Sequence, residues 1–468
     1  MRMLLVSTYE LGRQPIHLAS PVAALSAAGI EVDTIDVAVE TWDPARLDRV
    51  DAVAFSVPMH TAMRLAVPIA DTVRELNPGL PIAFYGLYAG VGADGSDVAD
   101  TRLVGEYEPG LVAWARSIRD SGVLTAPDRG RPRFHRPERS GLPSHDAYAR
   151  LEWEGEARRA AAVEASHGCR HRCRHCPVPS VYDGRLRVVG ADSVLADIDQ
   201  LAGDAVTHVT FGDPDFLNAP RYSLDILRAA HSAHPDLTYD ITVKVEHILD
   251  HEPIWPEMAA LGVLFVVSAF ETTDERTLGI LDKGHNATGM SRAVSIMRSA
   301  GVHIRPTWLP FFPWTSPEAI ADIARFIDRH GLWSATDPVQ LAIRLLIPDG
   351  SLLVEHPEVT PHLNGYDPTT LTWSWPFQNA TTARLHGDLD SIAAEASDCG
   401  AEAEDTLTLM RSRIEEASGV RLGPLPWSPP APRLTESWFC CAEPTAGQGA
   451  AVGLSIGRVP LASTTGSG

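Results

Sequence analysis

The sequence predicts an α/β protein in two halves. Residues 1–122 read as a doubly wound, Rossmann-like domain, and residues 159–350 as a partial (β/α)6 barrel of the TIM type. Three observations predict this. Short apolar runs alternate with helix-period stretches along most of the first 350 residues, the signature of parallel strands joined by covering helices. One stretch, within residues 123–158, breaks the alternation with "APDRGRPRFHRPERSGLPSHD", dense in proline and arginine, which reads as a linker or wrapping segment. The chain has 468 residues, 44% of them hydrophobic, enough to bury the cores of roughly three domains.

In the first half, strands are expected at residues 3–6, 32–35, 52–56 and 82–85, and helices at 17–28, 61–76 and 108–121. Folds of this kind bind ligands at the carboxyl ends of their strands. Those ends are residues 7–10, 56–61 and 86–90, all rich in small or polar side chains. In the second half, strands are expected at 160–165, 208–211, 239–245, 264–268, 303–309 and 340–346. Helices are expected between them at 191–202, 223–233, 253–261, 288–300 and 317–330. Residues 351–430 read as a C-terminal extension with a helix at 401–417. Residues 431–468, rich in Pro, Gly, Ser and Thr, read as a flexible tail.

Charge and cysteine usage narrow the function. A formal net charge of −21 argues against a general nucleic-acid binder, whose affinity comes from neutralising phosphates. No stretch is apolar over the length of a membrane span, and "MRMLLVSTYELG" lacks the long apolar core of a signal peptide. The six cysteines do not form a disulfide framework. Clustered thiols in such a chain suggest metal or redox work in a reducing cytoplasm.

Three of the six, Cys169, Cys173 and Cys176, lie in "SHGCRHRCRHCPVP", directly after the first expected barrel strand, where a barrel places its chemistry. Three thiolates in one loop can converge on one metal centre. A structural zinc wants four ligands, so His171, His175 or a remote residue would have to complete it. A [4Fe–4S] cluster on three cysteines instead leaves one iron open.

Cys-x3-Cys-x2-Cys with an aromatic residue before the last cysteine is the pattern of radical S-adenosylmethionine enzymes. The sequence resembles that superfamily, with His175 in the aromatic position. The resemblance continues through "VTHVTFGDPDFLNAP", "LFVVSAFETTDERTLGILDKG" and "SAGVHIRPTWLPFFP", so it covers about residues 160–350. It implies that Cys169, Cys173 and Cys176 hold a [4Fe–4S] cluster whose open iron chelates S-adenosylmethionine. It places Gly212, Asp213 and Asp215 near the methionine ammonium group, and Lys244, Glu271, Lys283 and Arg305 near its carboxylate or ribose. The bland reading of each charged residue is an ordinary salt bridge. The resemblance further implies a small-molecule substrate and an electron donor of the flavodoxin or ferredoxin type.

The first half resembles the cobalamin-binding domain of one large subgroup of these enzymes, in "VDAVAFSVPMHTAMRLAVPIADTVRELNPGLPIAFYG" and "RLVGEYEPGLVAWARSI". That implies a corrinoid against Ser56, Thr61 and Gly86. Two departures matter: no Asp-x-His-x-x-Gly motif is present, so no histidine is expected beneath the cobalt, and "YGLYAG" replaces the usual glycine pair with bulky neighbours that would alter or prevent corrinoid binding. The alternative is a domain that binds no cofactor. The tail's "CCAEP" resembles the radical S-adenosylmethionine proteins ending in Cys-Cys-Ala-Glu-Pro or Cys-selenocysteine-Ala-Glu-Pro. That resemblance implies a reactive residue at Cys441, partnered by Cys440.

The expected function is reductive cleavage of S-adenosylmethionine to a 5′-deoxyadenosyl radical, followed by cobalamin-dependent methyl transfer to an unactivated carbon. The alternatives are a non-methylating rearrangement, epimerisation or carbon–sulfur bond formation; alkylation of a thiophilic substrate, such as an arsenical, held by Cys440 and Cys441; and, outside catalysis, an iron–sulfur or zinc sensor or RNA-binding protein.

Overall fold

The computed structural model describes residues 1–92, 98–120, 134–436 and 442–451; Cys440 and Cys441 lie outside them. The N-terminal domain runs β1 (Arg2–Ser7), α1 (Ile16–Ala27), β2 (Glu31–Asp36), β3 (Ala52–Ser56), α2 (His60–Leu76), β4 (Ile82–Tyr85), β5 (Thr101–Leu103) and α3 (Glu108–Arg119). Its five strands pair in parallel in the order β2-β1-β3-β4-β5. Strand β1 shows why the sheet is covered on both sides. Met3 and Leu5 pack under α1 and α3, with Leu18, Leu111 and Trp114. Leu4 and Val6 point the other way, towards Ala62, Leu65, Ala66 and Ile69 of α2. Successive strand side chains face opposite ways, so a strand buried on both faces must be apolar throughout. Each such Leu or Val contributes about 1.5–3 kcal/mol of burial. The short edge strand β5 was not expected: its half-buried Thr-Arg-Leu has no apolar run to announce it.

Chain direction across the sheet reverses between β1 and β3, which leaves a crevice at their carboxyl ends. Thr8 Oγ1 donates to Ala62 O at 2.8 Å across this crevice.

Residues 134–149 wrap the first half and fasten it to the second. Glu138 N donates to Ala19 O, Ala149 N to Gly12 O and the Tyr148 hydroxyl to Asp36. Arg139 is the rivet. Its guanidinium donates twice to Asp197, both at 2.8 Å, and also to Gln14 Oε1 and Ala162 O. The two side chains are each 2% exposed. The arginine-rich composition of this stretch thus includes a buried structural ion pair.

The second half begins earlier than expected, with the hairpin β6 (Arg150–Trp153) and β7 (Glu156–Val163). There follow β8 (Ser166–Gly168), α4 (Val178–Tyr182), β9 (Leu186–Val188), α5 (Ala191–Gly203), β10 (His208–Phe211), α6 (Pro220–Ala233), β11 (Thr238–Thr242), α7 (Val245–Asp250), α8 (Trp255–Ala260), β12 (Val263–Glu271), α9 (Glu275–Leu281), α10 (Ala287–Ala300), β13 (His303–Trp308) and α11 (Pro317–His330). Strands β7, β10, β11, β12 and β13 are parallel neighbours in chain order and form a curled half-barrel. The strand expected at 340–346 is not formed. Residues Pro338–Leu341 make a 3-10 turn, and the sixth barrel position survives as one isolated parallel bridge between Phe311 and Arg344. Gln340 shows why: its Oε1 accepts from Trp308 N, so a side chain takes the place of a ladder bond.

The extension contains the hairpin β14 (Gly365–Asp367) and β15 (Thr372–Ser374), then α12 (Ala380–Cys399) and α13 (Ala403–Ser418). Helix α12 was not expected, because its buried stripe is made of Thr382, Leu385, His386, Leu389, Ala393 and Ala394. The spacing is helical although four of those six side chains are small or polar. Its ends were legible: Asn379 caps the first turn through Thr381 N and Thr382 N, and Gly400 closes it at φ +66°. Cys399 is the exposed last residue of this helix. The chain then returns to the sheet edge as β16 (Arg433–Leu434) against β6, and residues 442–451 end in α14 (Ala446–Ala451). Among the described residues no helix is long and apolar enough to cross a membrane.

Candidate active site

The cysteine loop leaves the half-barrel at the carboxyl end of β7 and is clasped at its base by the antiparallel pair β8 and β9. Gly168 sits at φ +76°, and a Cβ there would meet Tyr182 Cδ1 at 2.8 Å and the Arg185 carbonyl closer still. Only glycine lets the backbone turn into Cys169 at this point. Cys169 and Cys173 are buried, Cys176 is partly so, and all three are free. Burial pushes the Cys176 thiol up to about 12, with Cys173 and Cys169 adding to the rise and Lys283 opposing it. The Cys176 thiol thus feels both of its neighbours in the loop. Uncharged thiols suit such a pocket only until a cation replaces their protons. The donor set therefore fits an iron–sulfur cluster.

Two residues hold the loop that sequence reading did not single out. Asn218 Nδ2 donates to Cys169 Sγ at 3.4 Å, and Asn218 Oδ1 accepts from Arg170 N at 3.1 Å. Arg174 crosses to the C-terminal end of α9, where its guanidinium donates to Gly279 O and Ile280 O and its amide to Leu281 O. A cation on the last carbonyls of a helix caps it. This loop arginine is thus a clamp rather than a contact for a partner.

At the end of β12, Glu271 adopts φ +64°, a left-handed conformation that costs a non-glycine residue energy and is held only by its surroundings. Its Oε1 accepts from Lys283 Nζ and from His175 Nε2, both at 3.0 Å. Burial disfavours the carboxylate, but Lys283 and His175 outweigh it and hold its pKa far below the usual range. For Lys283, burial is likewise outweighed by Glu271 and by Cys173 and Cys176. Cys173, Cys176, His175, Glu271 and Lys283 therefore form one group, buried at Cys173, Glu271 and Lys283 and partly so at Cys176 and His175. His175 Nδ1 and His285 Nδ1, both buried and without a protein partner, lie beside it.

On the other flank, a hydrogen-bond chain runs from Lys244 to Asp215. Lys244 Nζ meets His171 Nδ1 at 3.1 Å, His171 Nε2 meets His247 Nε2 at 3.1 Å, and His247 Nδ1 meets Asp215 Oδ1 at 3.0 Å. Lysine only donates and carboxylate only accepts. The one consistent assignment is His171 protonated at Nε2 and His247 at Nδ1. These imidazole and carboxylate atoms lie within 4.8 Å of one another, as metal ligands would, but the chain of donors satisfies them without an ion.

The expected site residues divide accordingly. The structure brings together the three cysteines, Glu271 and Lys283, with Asp215 and Lys244 on the adjoining flank. Asp213 spends its oxygens on Ser166 Oγ and Ala165 N, tying β10 to the turn after β7, and Asp215 also accepts from Leu217 N and Lys244 N. Gly212 lies at the same strand end, its Cβ position against Glu164 Cγ at 3.4 Å. Arg305 does not join the group. It stands inside β13, not at its end, in a bidentate pair with Asp337 and a bond to Pro432 O. Ser56, Thr61 and Gly86 belong to the N-terminal domain, where all three are buried.

A second, partly buried network joins the two halves beside this loop. His17 contacts Glu10 and lies 3.4 Å from Glu164; Glu164 lies 3.2 Å from His167, and His167 3.1 Å from Glu106. Burial pulls the His17 pKa down, yet Glu10 and Glu164 outweigh it, together with repulsion from His167, and raise it from 6.5 to about 9. A raised histidine stabilises the fold fully below its unfolded value, and that stabilisation is lost as pH rises through the folded value. Melting temperature is therefore expected to fall between pH 6.5 and 9, and to fall less steeply in His17→Gln. Parallel profiles for the two proteins, measured by calorimetry, would refute the coupling.

With this geometry in place, comparison identifies the class. Residues 163–327 match the Radical SAM superfamily. The chain thus carries a radical S-adenosylmethionine domain and is an enzyme of that kind; the domain implies a [4Fe–4S] cluster and S-adenosylmethionine. Among solved structures, the fold is similar to the cobalamin-dependent S-adenosylmethionine radical enzyme OxsB with aqua-cobalamin and S-adenosylmethionine bound. The identity is 13%, over 89% of this chain and 72% of that one, at a TM-score of 0.64. It is also similar to the radical S-adenosylmethionine methyltransferase TsrM from Kitasatospora setae with tryptophan substrate and a S-adenosylmethionine analogue bound, at 18% identity over 70% and 71% of the two chains and a TM-score of 0.54. Another TsrM structure, with cobalamin and a [4Fe–4S] cluster bound, matches at 16% identity over 70% of each chain and a TM-score of 0.53. These likenesses are of fold. No curated protein matches the chain in sequence.

Proposed function

We propose that Cys169, Cys173 and Cys176 hold the [4Fe–4S] cluster, and that the enzyme removes a hydrogen atom from an unactivated carbon of a small molecule. The observation that carries this reading is the gathering of three thiols in one loop beside the Glu271–Lys283 pair at the carboxyl end of the half-barrel. When bound, the cluster supplies the electron that splits S-adenosylmethionine into methionine and a 5′-deoxyadenosyl radical. The chain's own residues prepare the place. Lys283 offsets thiolate charge, and Glu271 fixes the direction of Lys283 and of the His175 ring. Asn218 donates to Cys169 Sγ, an interaction that would tune the reduction potential of a cluster held there. Gly212 and Asp213 shape the strand end, while Asp215 and Lys244 orient the two imidazoles beside the loop. The electron comes from a donor of the flavodoxin or ferredoxin type in a reducing cytoplasm.

Cobalamin-dependent methyl transfer is the finer reading, and the likeness to OxsB and TsrM favours it. The expected corrinoid face does not fit a corrin as it stands. Ser56 and Thr61 are 2% and 0% exposed, and Thr61 Oγ1 donates to Ala442 O at 2.9 Å. No step is therefore routed through cobalamin. The resemblance of "CCAEP" to the tail family points to Cys440 and Cys441 as reactive groups of the same enzyme.

The test is anaerobic reconstitution with iron and sulfide, then reduction with dithionite in the presence of S-adenosylmethionine. The full chain is expected to release 5′-deoxyadenosine, and Cys173→Ala to bind less iron and release none. A reconstituted wild-type protein that binds iron but yields no 5′-deoxyadenosine would overturn the radical reading in favour of a sensor.

A further inference from the structure

The crevice between β1 and β3 is where a doubly wound domain receives its ligand, and here it meets the chain's own C-terminal residues. Ala442 is buried in the same apolar cluster as Tyr9, Val57, Tyr88, Leu309 and Phe312, which come from the facing ends of the two halves. Its carbonyl accepts from Thr61 at the start of α2. The next residue, Glu443, is held by two cationic or donor groups of the same helix: His60 Nε2 at 3.1 Å and Arg64 Nε at 2.9 Å. Arg64 in turn donates to Thr369 O, so one guanidinium fastens both the segment and the loop before β15.

The segment is also ordered locally. Thr445 Oγ1 accepts from Gln448 N at 3.1 Å, and Gln448 Oε1 accepts from Thr445 N at 2.9 Å. That reciprocal pair is a capping box, which gives these residues a turn of their own. The attachment nevertheless stays close to solvent: the Glu443 side chain is 28% exposed, whereas His60 is 1% exposed. A carboxylate at such a boundary can exchange its partners for water more readily than a fully buried one.

We propose that residues 442–445 are a built-in occupant of the N-terminal domain's corrinoid face, anchored by Glu443, and that this segment and a corrinoid exclude one another. The proposal rests on the cobalamin reading above and adds its regulation. A corrinoid gains the face only when Glu443 leaves His60 and Arg64.

The experiment uses the full-length, anaerobically reconstituted protein and aquacobalamin as probe, in equilibrium dialysis with corrin absorbance as readout. Glu443→Gln weakens the anchor, and Glu443→Lys opposes Arg64 directly. Both are expected to bind aquacobalamin about tenfold or more tightly than wild type, in keeping with loss of charge-assisted bonds. Their melting transitions, recorded alongside, identify a variant that has merely unfolded; such a variant is replaced by Thr61→Val, which removes the bond to Ala442 O and is expected to act in the same direction. Saturating aquacobalamin is further expected to speed hydrogen exchange of the wild-type amides of residues 445–450. Equal affinity of wild type and folded variants, with no change in exchange, overturns the exclusion and leaves the cobalamin reading standing. No binding by any of them overturns both.

Discussion

Asp197→Ala is expected to lower stability by about 3–5 kcal/mol, the cost of leaving one member of a buried ion pair without its partner. Arg139 would keep its bonds to Gln14 and the Ala162 carbonyl but lose both bonds to the Asp197 carboxylate in a site where neither side chain is more than 2% exposed. The damage is not confined to α5. Arg139 belongs to the wrapping segment, Gln14 to the N-terminal domain and Ala162 to β7, so the substitution loosens the junction of the two halves. Chemical denaturation monitored by circular dichroism measures the effect. A loss below about 1 kcal/mol, the value of an exposed pair, would show that the junction does not depend on Arg139. Replacing both partners with apolar residues of similar size is expected to recover much of the loss, because it removes the unpaired charge rather than creating one.

At the site itself, the largest effect short of removing a cysteine is expected from Glu271→Ala. The carboxylate is the common acceptor for Lys283 and His175, both at 3.0 Å. Without it, Lys283 remains buried next to the thiols with nothing to fix its direction, and the His175 ring loses its bond to the carboxylate. Groups that orient the ligands of a metal centre typically change affinity or activity 10–100-fold when removed. Formation of 5′-deoxyadenosine by Glu271→Ala is therefore expected to fall by about 10–100-fold. Glu271→Gln, which keeps an acceptor oxygen, should fall less. Iron content measured in parallel separates a damaged cluster from a damaged cosubstrate site. Full activity of Glu271→Ala would remove this residue from the site. Because Glu271 sits at φ +64°, Glu271→Gly relieves backbone strain while losing the carboxylate. It should then match Glu271→Ala in activity while being the more stable of the two.

Local pattern and covalent spacing determined much of this protein from the sequence alone. Strands buried on both faces are built from apolar runs, so β1, β3 and β4 could be placed to within a residue or so. Three cysteines within eight residues can reach one centre almost however the remainder folds. Where an element's stripe is built from small or polar residues, as in α12, or its strand is a three-residue edge, as in β5, the pattern fades and only packing defines it. The charged residues are the clearest case. Sequence placed Asp213, Asp215, Lys244, Glu271, Lys283 and Arg305 together as ligand contacts, since each lies near an expected strand end. A charge acquires its role from the partner that desolvation forces on it, and those partners are distant in sequence: Asp337 for Arg305, Ser166 for Asp213, His247 for Asp215. The same reason hid Asn218 behind Cys169 and the seat of Glu443 between His60 and Arg64, more than 370 residues away. The sequence supplied the charged and thiol groups; the tertiary fold decided which of them gather beside the cysteine loop, which hold the scaffold, and which fasten residues 442–445 to α2.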